Sequence, residues 1–221
     1  MNLSKITRAM IFPLMTAAAL ASLSAPAYEK GDWLVRAGAT TVSPDESSSN
    51  VFVGGTDLGL GVSVDSSTQL GLNIAYFYSP KWALELLAAT PFSHDIELQG
   101  VKLINAKQLP PSLTANYFFN DTNSAFQPYV GAGLNYTLFF DESFAQSSRD
   151  AGFSDIDLDS SFGITAQAGF DYMIDEKWLV NASVRWIDIQ TDATFDLNGA
   201  AGSVDVDVDP FVYTLSVGYR F

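Results

Sequence analysis

The only histidine of the chain, His94, stands between Ser93 and Asp95, three residue types that could supply the nucleophile, base and orienting acid of a hydrolase. Adjacent residues of an extended segment point to opposite faces, so these three side chains cannot meet as a triad. No spacing elsewhere in the sequence selects another serine or aspartate as a partner for His94. We therefore predict that the protein is not an enzyme and that His94 has a structural role.

Two sets of alternating aspartates could bind a divalent cation, because three carboxylates spaced two apart share one face of a strand and Ca²⁺ and Mg²⁺ prefer oxygen ligands. They are Asp155, Asp157 and Asp159, and Asp205, Asp207 and Asp209. Neither segment has the ligand spacing of an EF-hand, and an acidic solvated surface explains the same pattern. We therefore expect neither a metal site nor a cofactor.

The composition limits the classes of protein that remain. The 221 residues include 25 acidic and 11 basic residues, no cysteine, 13% aromatic residues and only 16% charged residues. A formal net charge of −14 argues against a nucleic-acid partner, whose binders carry basic patches. The absence of cysteine excludes disulfides and thiolate metal sites. Few charges and many aromatic residues favour a surface that partly faces something other than water.

The first 27 residues have the pattern of an export signal. Lys5 and Arg8 precede an apolar run over residues 9–23, and Ala25-Pro26-Ala27 is a small-x-small cleavage pattern. An uncleaved membrane anchor is disfavoured because the run is short and contains Pro13. We predict that residues 1–27 are a cleaved signal peptide and that residues 28–221 form one exported domain. This domain has no apolar run of about 18 residues, so it could cross a membrane only as a β-barrel.

The exported part contains eight segments in which apolar residues alternate with small or polar residues. They cover residues 33–41, 69–78, 82–90, 113–119, 130–140, 162–172, 178–187 and 211–221. Side chains two apart share a face of a strand, so each segment has one apolar face. Short connections alternate with long ones, and the long ones cover about residues 42–68, 91–110, 141–161 and 188–210. Prolines fall at segment boundaries, as expected for a residue without a ladder donor: Pro44, Pro80, Pro91, Pro110, Pro111, Pro128 and Pro210.

Charges and aromatic residues distinguish a membrane barrel from a soluble β-sandwich. The charges within the segments all lie opposite the apolar face: Arg36, Glu85, Asp171, Arg185 and Arg220. A lipid-facing Arg or Lys near the bilayer midplane costs about 2–4 kcal/mol, so lipid would enforce this separation. The outward aromatic residues concentrate at the strand ends, as in the two girdles of an outer-membrane barrel. We predict an all-β fold, an eight-stranded antiparallel transmembrane β-barrel of the bacterial outer membrane. It has four long extracellular loops and both termini in the periplasm.

Four stretches resemble the OmpW family of bacterial outer-membrane proteins, and the resemblance runs through essentially the whole exported chain. They are Ala89-Thr90-Pro91-Phe92 with His94-Asp95-Ile96, Leu109-Pro110-Pro111, residues 129–137 and the ending Val217-Gly218-Tyr219-Arg220-Phe221. The resemblance implies a monomeric barrel with a narrow apolar interior that passes small hydrophobic molecules. It also implies that barrel-insertion machinery recognises the C-terminal Phe221.

The inward faces of the segments predict the contents of the lumen, which in an eight-stranded barrel has room only for side chains or one small ligand. The predicted hydrophobic path consists of Ala89, Phe139, Ile187, Val212, Leu87, Phe118 and Leu179. The predicted polar plug consists of Arg36, Glu85, Asn135, Gln167 and Arg185, with Arg36 or Arg185 paired to Glu85. We expect an apolar solute to enter at the loop end. It then leaves sideways near Pro91, Pro110 and Pro111, or waits for the plug to shift.

A closed structural barrel that displays acidic loops for adhesion or surface interaction is the alternative. In that case the plug is permanent, and the lumen is expected to hold a continuous ionic network. The inward glycines argue against this alternative, because they are expected to leave space for a ligand. They are Gly38, Gly71, Gly131, Gly133, Gly163, Gly169 and Gly218. The expected partners are outer-membrane lipid, lipopolysaccharide and a small hydrophobic solute.

Overall fold

The computed structural model describes residues 28–119, 121 and 124–221, and the predicted signal peptide lies outside these residues. In chain order the elements are β1 (Trp33–Ser43), β2 (Ser47–Ser48), β3 (Phe52–Val53), β4 (Thr56–Asp57), β5 (Val62–Val64), β6 (Ser67–Ser79), β7 (Trp82–Ala89), β8 (Phe92–Leu98), β9 (Val101–Leu109), β10 (Ser112–Phe118), β11 (Phe126–Phe144), α1 (Gln146–Asp150), β12 (Phe153–Leu158), β13 (Ser161–Met173), β14 (Trp178–Ile187), β15 (Gln190–Leu197), β16 (Ala200–Asp207) and β17 (Phe211–Arg220). The described residues contain no helix long and apolar enough to span a membrane.

Eight antiparallel strands of the described chain form a closed ring in the order β1, β6, β7, β10, β11, β13, β14 and β17. The ring closes where β17 pairs with β1, from Leu34 opposite Arg220 to Ser43 opposite Phe211. Closure leaves the ring without sheet edges. Each predicted segment overlaps one strand of the ring, so the prediction of an eight-stranded barrel is confirmed.

The outer face of the ring is apolar, because the period-two pattern places aliphatic side chains on the side away from the lumen. Exposed aliphatic side chains cover its middle, among them Leu70, Leu84, Leu113, Leu134, Ile164 and Leu215. Exposed aromatic side chains lie at the strand ends, with Trp33, Tyr78, Trp82 and Trp178 at the end of the short turns. Tyr136, Phe162, Phe211 and Tyr213 are their counterparts towards the long connections. We call these two ends the turn end and the loop end.

The long connections consist largely of further strands, whereas the sequence predicted loops. β8 and β9 form a hairpin that continues the barrel wall, since β9 pairs with the upper part of β11 and β5 pairs with β8. β15 and β16 form a second hairpin, and β12, β3 and β4 extend its sheet. The loop end is therefore a walled extension of the barrel.

Pro128 lies inside β11, opposite Phe170, and not at a strand boundary as predicted. The carbonyl oxygen of Pro128 accepts the amide of Phe119 at 3.0 Å. The nitrogen of Pro128, which has no hydrogen to donate, therefore lies beside the end of β10. The carbonyl of Phe119 instead accepts Lys81 Nζ at 3.4 Å. The ladder thus loses one bond where β10 is already ending. The other prolines named above lie outside the strands, as predicted.

Candidate functional site

Four charged side chains meet inside the barrel and form an ion cluster: Arg36, Glu85, Asp171 and Arg185. Arg36 is fully buried and donates from Nη1 to Glu85 Oε2 at 2.7 Å. It also donates from Nη2 and Nε to the two carboxylate oxygens of Asp171, at 2.6 and 3.1 Å. Arg185 Nη2 donates to Glu85 Oε1 at 2.8 Å, so both arginines pair with Glu85. Two positive and two negative charges therefore neutralise each other away from water.

Amide side chains provide further hydrogen bonds to the carboxylates of the cluster, whereas Arg185 Nη1 is buried without a hydrogen-bond partner among the described residues. Gln167 Nε2 donates to Glu85 Oε1 at 3.2 Å, and its carbonyl oxygen accepts Arg185 Nη2 at 2.7 Å. Asn116 donates to Glu85 Oε2 at 3.2 Å, and Asn181 donates to Asp171 Oδ1 at 2.8 Å. The predicted plug residues Arg36, Glu85, Gln167 and Arg185 are thus brought together.

Asn135, the fifth predicted plug residue, is buried elsewhere. Its Nδ2 donates to the carbonyl of Pro111 and to Ser112 Oγ, both at 3.0 Å. Asp171 was not among the predicted plug residues, although its inward position and charge on β13 were visible in the sequence.

An aromatic cluster closes the lumen on the turn side of the ions and consists of Tyr28, Phe77, Phe118 and Tyr129. The rings of Tyr28 and Phe77 stack at 4.0 Å, and Phe118 contacts Tyr28, Phe77 and Tyr129 at 5.0–5.1 Å. The hydroxyl of Tyr28 donates to Asp171, which links the aromatic cluster to the ion cluster. Phe118 and Leu179, two predicted path residues, are buried in this packing. Tyr28 precedes the first alternating segment, so no periodicity could identify it.

The inward glycines do not leave open space, which corrects the prediction. A Cβ added to Gly71 would lie 2.1 Å from Thr40 Oγ1, and one added to Gly131 would lie 1.9 Å from Asn116 Oδ1. At Gly218 the added atom would meet Leu179 Cδ1 at 2.7 Å. Neighbouring side chains already occupy these positions, so the glycines permit dense packing within the barrel.

An apolar cavity lies at the loop end. The centre of a water-sized sphere can occupy about 60 Å³ of it. Side chains from β8, β9, β11, β12, β15 and β16 line it, including Ile96, Phe139, Phe153, Phe195, Val204 and Val206. One water needs about 10–15 Å³ by this measure, so the cavity has room for a small molecule.

The structure divides the predicted path residues, because Phe118 and Leu179 lie on the turn side of the ion cluster and the other five lie towards the loop end. Phe139 lines it directly. Ile187 and Val212 are buried in the same apolar cluster, and Ala89 packs against that cluster. Leu87 is buried on β7, where it is opposite Ser112 of β10. Most of the lining comes from the strands of the long connections, which the sequence had not indicated.

His94 is a buried residue of the cavity wall, on strand β8. Its Nδ1 lies 2.5 Å from the carbonyl oxygen of Asp65, and its Nε2 lies 2.9 Å from Gln108 Nε2. Nδ1 therefore donates and Nε2 accepts, which is the neutral form of the ring. Burial lowers the pKa of His94 below its ordinary value, although the Asp65 carbonyl acts in the opposite direction. Asp95 instead pairs with Lys102 at 2.7 Å. The predicted separation of the His94 and Asp95 side chains is therefore confirmed.

The barrel wall is interrupted near the cavity, and we call this interruption the wall break (residues 88–91 and 109–111). The pairing of β7 with β10 ends at Leu87 opposite Ser112, and the pairing of β8 with β9 begins at Phe92 opposite Gln108. Within the described chain, no register pair joins residues 88–91 to residues 109–111. Pro91, Pro110 and Pro111 cannot donate hydrogen bonds there. Gln108, at its upper border, also lines the cavity.

Four of the six alternating aspartates lie on loop-end strands, Asp155 and Asp157 on β12 and Asp205 and Asp207 on β16, whereas Asp159 and Asp209 follow those strands. Asp205 and Asp207 are exposed on β16, and Asp205 lies directly opposite Asp192 of β15. The inward positions of β16 are Val204 and Val206, which line the cavity. The described residues contain no group of three or more histidine, aspartate or glutamate side chains placed to hold a metal ion.

A closed ring of antiparallel strands with an apolar outer face, aromatic girdles and an ionic interior defines a transmembrane β-barrel. The sequence profile of the OmpW family matches residues 29–221, and the chain belongs to this family of outer-membrane proteins. The predicted family and outer-membrane location are thereby confirmed.

Known relatives resemble the chain over nearly its whole length. Outer membrane protein W of Vibrio cholerae is 44% identical over 214 residues, which cover 94% of this chain and 97% of the relative. The crystal structure of OprG from Pseudomonas aeruginosa is 45% identical, with a TM-score of 0.86 over 89% of this chain and 99% of OprG. A more distant relative is the dibenzothiophene metabolism operon protein PahQ of Pseudomonas aeruginosa. It is 27% identical over 224 residues, 98% of this chain and 99% of PahQ.

Proposed function

We propose that the protein captures small apolar molecules in the loop-end cavity and releases them sideways into the outer membrane through the wall break. The observation that carries this proposal is the position of an apolar cavity beside an interrupted wall and above a sealed lumen. In barrels of this architecture the long connections are extracellular, so the cavity faces the outside of the cell. The route needs neither a cofactor nor a chemical step.

Axial passage is opposed by the ion cluster and the aromatic cluster. Moving Arg36 aside would leave Glu85 and Asp171 with fewer partners in a dry interior, and breaking a buried pair costs about 3–5 kcal/mol. The rings of Tyr28 and Phe118 would also have to separate from Phe77. A solute that has entered the cavity therefore meets its largest barrier along the barrel axis.

Lateral release meets a smaller barrier, because no register pair has to be broken between residues 88–91 and residues 109–111. Apolar outward side chains flank the wall break, with Leu86 on β7, Leu113 on β10 and Leu134 on β11. A solute that passes between them enters the lipid without crossing the ion cluster. The name of PahQ supports an apolar solute, since dibenzothiophene is a fused aromatic sulfur compound.

Flux into proteoliposomes tests the proposal with two neighbouring residues of β15. Ala193 lines the cavity, whereas Thr194 is exposed on the outer face. We expect the wild-type protein to accelerate entry of naphthalene over protein-free liposomes, but not entry of a polar solute of similar size. Ala193→Asp should remove the acceleration because it places a charge in the apolar cavity, and Thr194→Asp should retain it. Equal naphthalene flux with wild-type protein and with protein-free liposomes would contradict the proposal, provided that circular dichroism shows a folded barrel.

The alternative function, a closed barrel that displays its acidic loop-end surface, is supported by the ion cluster itself. A continuous ionic network is expected in a purely structural lumen, and here it is complete enough to satisfy every carboxylate of the cluster. If neither solute is accelerated, this display function becomes the better explanation.

The proposed partners follow from the outer surface. Lipid covers the apolar face, and lipopolysaccharide surrounds the loop end. The ring of Phe221 is 71% exposed at the turn end, where its amide donates to the carbonyl of Trp33 at 2.9 Å. Its ring is therefore available to barrel-insertion machinery. We propose that the barrel acts as a monomer.

A further inference from the structure

Gly202 of β16 lies directly opposite Phe195 of β15, and the phenyl ring covers the glycine. A Cβ added at residue 202 would lie 2.3 Å from Phe195 Cε2 and 2.4 Å from Cζ, far inside van der Waals contact. The ring therefore occupies the place that a side chain at residue 202 would take. An aromatic residue packed over a cross-strand glycine is a known way to stabilise such a pair.

Phe195 is also part of the cavity wall, and two other rings support it. Its ring lies 5.6 Å from Phe153 and 6.5 Å from Phe144, and those two rings lie 5.4 Å apart. All three distances are within the range of favourable aromatic contacts. The cavity borders Phe195, while the glycine and the other rings fill the neighbouring positions. Because protein interiors are closely packed, a displaced Phe195 ring would move into the cavity.

We propose that Gly202 sets the upper size limit for solutes of the cavity, by allowing the Phe195 ring to lie back over β16. This inference rests on the proposed function, because it assigns a specificity determinant to the same capture site. Any side chain at residue 202 pushes the ring inward and excludes the larger solutes first. The solutes concerned are planar aromatic hydrocarbons, whose fit depends on the clearance between the Phe195 ring and the opposite wall.

Three variants separate the contribution of the ring from a general effect of substitution on β16. Gly202→Ala adds one carbon under the ring. The double variant Gly202→Ala with Phe195→Leu removes the ring that this carbon displaces. Ala201→Ser is the matched control, because it adds one heavy atom to the adjacent, exposed position of the same strand.

The experiment is a titration of each protein in lipid nanodiscs with benzene and with naphthalene, monitored by the NMR shifts of the β15 and β16 amides. We expect saturable shifts with both ligands for the wild-type protein and for Ala201→Ser. Gly202→Ala should bind benzene normally but naphthalene about tenfold or more weakly, since one methylene in an apolar pocket changes affinity about 10–200-fold. The double variant should regain naphthalene binding.

The outcomes distinguish this inference from the proposed function. If Gly202→Ala binds naphthalene as the wild type does, or if the double variant does not regain binding, the size limit is not set by Gly202, and capture in the cavity still stands. If the wild-type protein shows no saturable shift with either ligand, the capture site itself is wrong and this inference fails with it. Should Gly202→Ala not fold, Phe195→Leu alone tests the same relation, because it should strengthen binding of naphthalene relative to benzene.

Discussion

The two halves of the barrel interior differ in the interactions that fix their side chains in place. In the turn-end half, four buried charges and a set of amides bind one another, so each side chain depends on its partners. In the loop-end half, aliphatic and aromatic side chains surround a cavity, and the charge pairs of its walls, Lys102 with Asp95 and Lys107 with Asp141, lie on the outer surface and are partly exposed. Both halves are enclosed by strands, yet one is filled and the other is not.

This difference shows how one barrel can combine closure with capture. Removing a partner from the ion cluster leaves an uncompensated charge, so the turn-end half has few alternative arrangements. The cavity walls depend on non-directional packing, which tolerates substitution and small movements as long as volume is kept. We therefore expect substitutions in the turn-end half to change stability, and those in the loop-end half to change selectivity.

The strongest test of this comparison is Arg36→Met. It should lower the free energy of unfolding by about 3–5 kcal/mol, because Asp171 and Glu85 would remain buried without their shared cation. The matched control is Lys107→Met, which breaks a pair of similar length, 2.9 Å to Asp141, whose side chains are 42% and 64% exposed. That change should stay within about 1 kcal/mol. Urea titrations in the presence of lipid vesicles measure both, and equal losses would show that the ion cluster gains nothing from burial.

Tyr28→Phe should have an intermediate effect on the same half. It removes the hydroxyl that donates to Asp171 but retains the ring that stacks on Phe77. Because a hydrogen bond to a charged group contributes about 1.5–3 kcal/mol and Asp171 keeps Arg36 and Asn181, we expect a loss near the lower value. The same urea titration measures it. A loss as large as that of Arg36→Met would mean that Tyr28, and not the arginine, is the main partner of Asp171.

Pro110→Ala sharpens the comparison at the boundary between the halves. It restores a backbone donor at the wall break, and one net hydrogen bond contributes about 1 kcal/mol. If release is lateral, naphthalene flux into proteoliposomes should fall about fivefold, which corresponds to a barrier higher by about 1 kcal/mol. Pro44→Ala, outside the wall break, is the control and should leave flux unchanged. Undiminished flux through Pro110→Ala would argue against this exit.

Lowering the pH should produce the smallest effect, confined to the loop end. The folded protein holds neutral His94 with a pKa below that of the unfolded chain, where it is about 6.5. Its contribution to stability is therefore complete above about pH 6.5 and is lost as the pH falls towards the folded pKa. Hydrogen exchange of the β8 and β9 amides should show weaker protection at pH 5 than at pH 7.5. His94→Gln should remove most of this difference in protection between the two pH values. An unchanged difference would assign it to other titratable groups.

The barrel and most of the ion cluster could be predicted from the sequence because lipid imposes a strict rule on every strand. Arg36, Glu85 and Arg185 had to point inward, because a charge on the opposite face of their strands would meet lipid. A pair between Glu85 and one of the two arginines was predicted, but not that both arginines bind Glu85 or that Arg36 also binds Asp171, because this depends on strand tilt and on the reach of long side chains. Tyr28 enters the lumen from outside any strand, so no pattern indicated it.

The strands that supply most of the cavity lining were not predicted, for a different reason. In β16 the outward aspartates at 205 and 207 suggested an acidic loop, although Val204 and Val206 alternate with them as in any half-buried strand. Water, not lipid, covers the outer face at this level, so the outward residues are polar and the apolar residues are the inward ones. The inward glycines were misinterpreted because a missing side chain indicates space only when no neighbour fills it, and at Gly71 the neighbour is Thr40.

The pairing of β1 with β17 has a consequence for the time course of folding. These strands are the first and last of the described barrel, so the contact that joins them is the most distant in sequence, and distant contacts form slowly. Until β17 arrives, β1 and β14 each present an unpaired edge, the kind of edge on which chains aggregate. Unpaired backbone groups are also costly in lipid. The final strand therefore decides whether an inserted chain becomes a sealed barrel, and a chain that stops before it is left open along one seam.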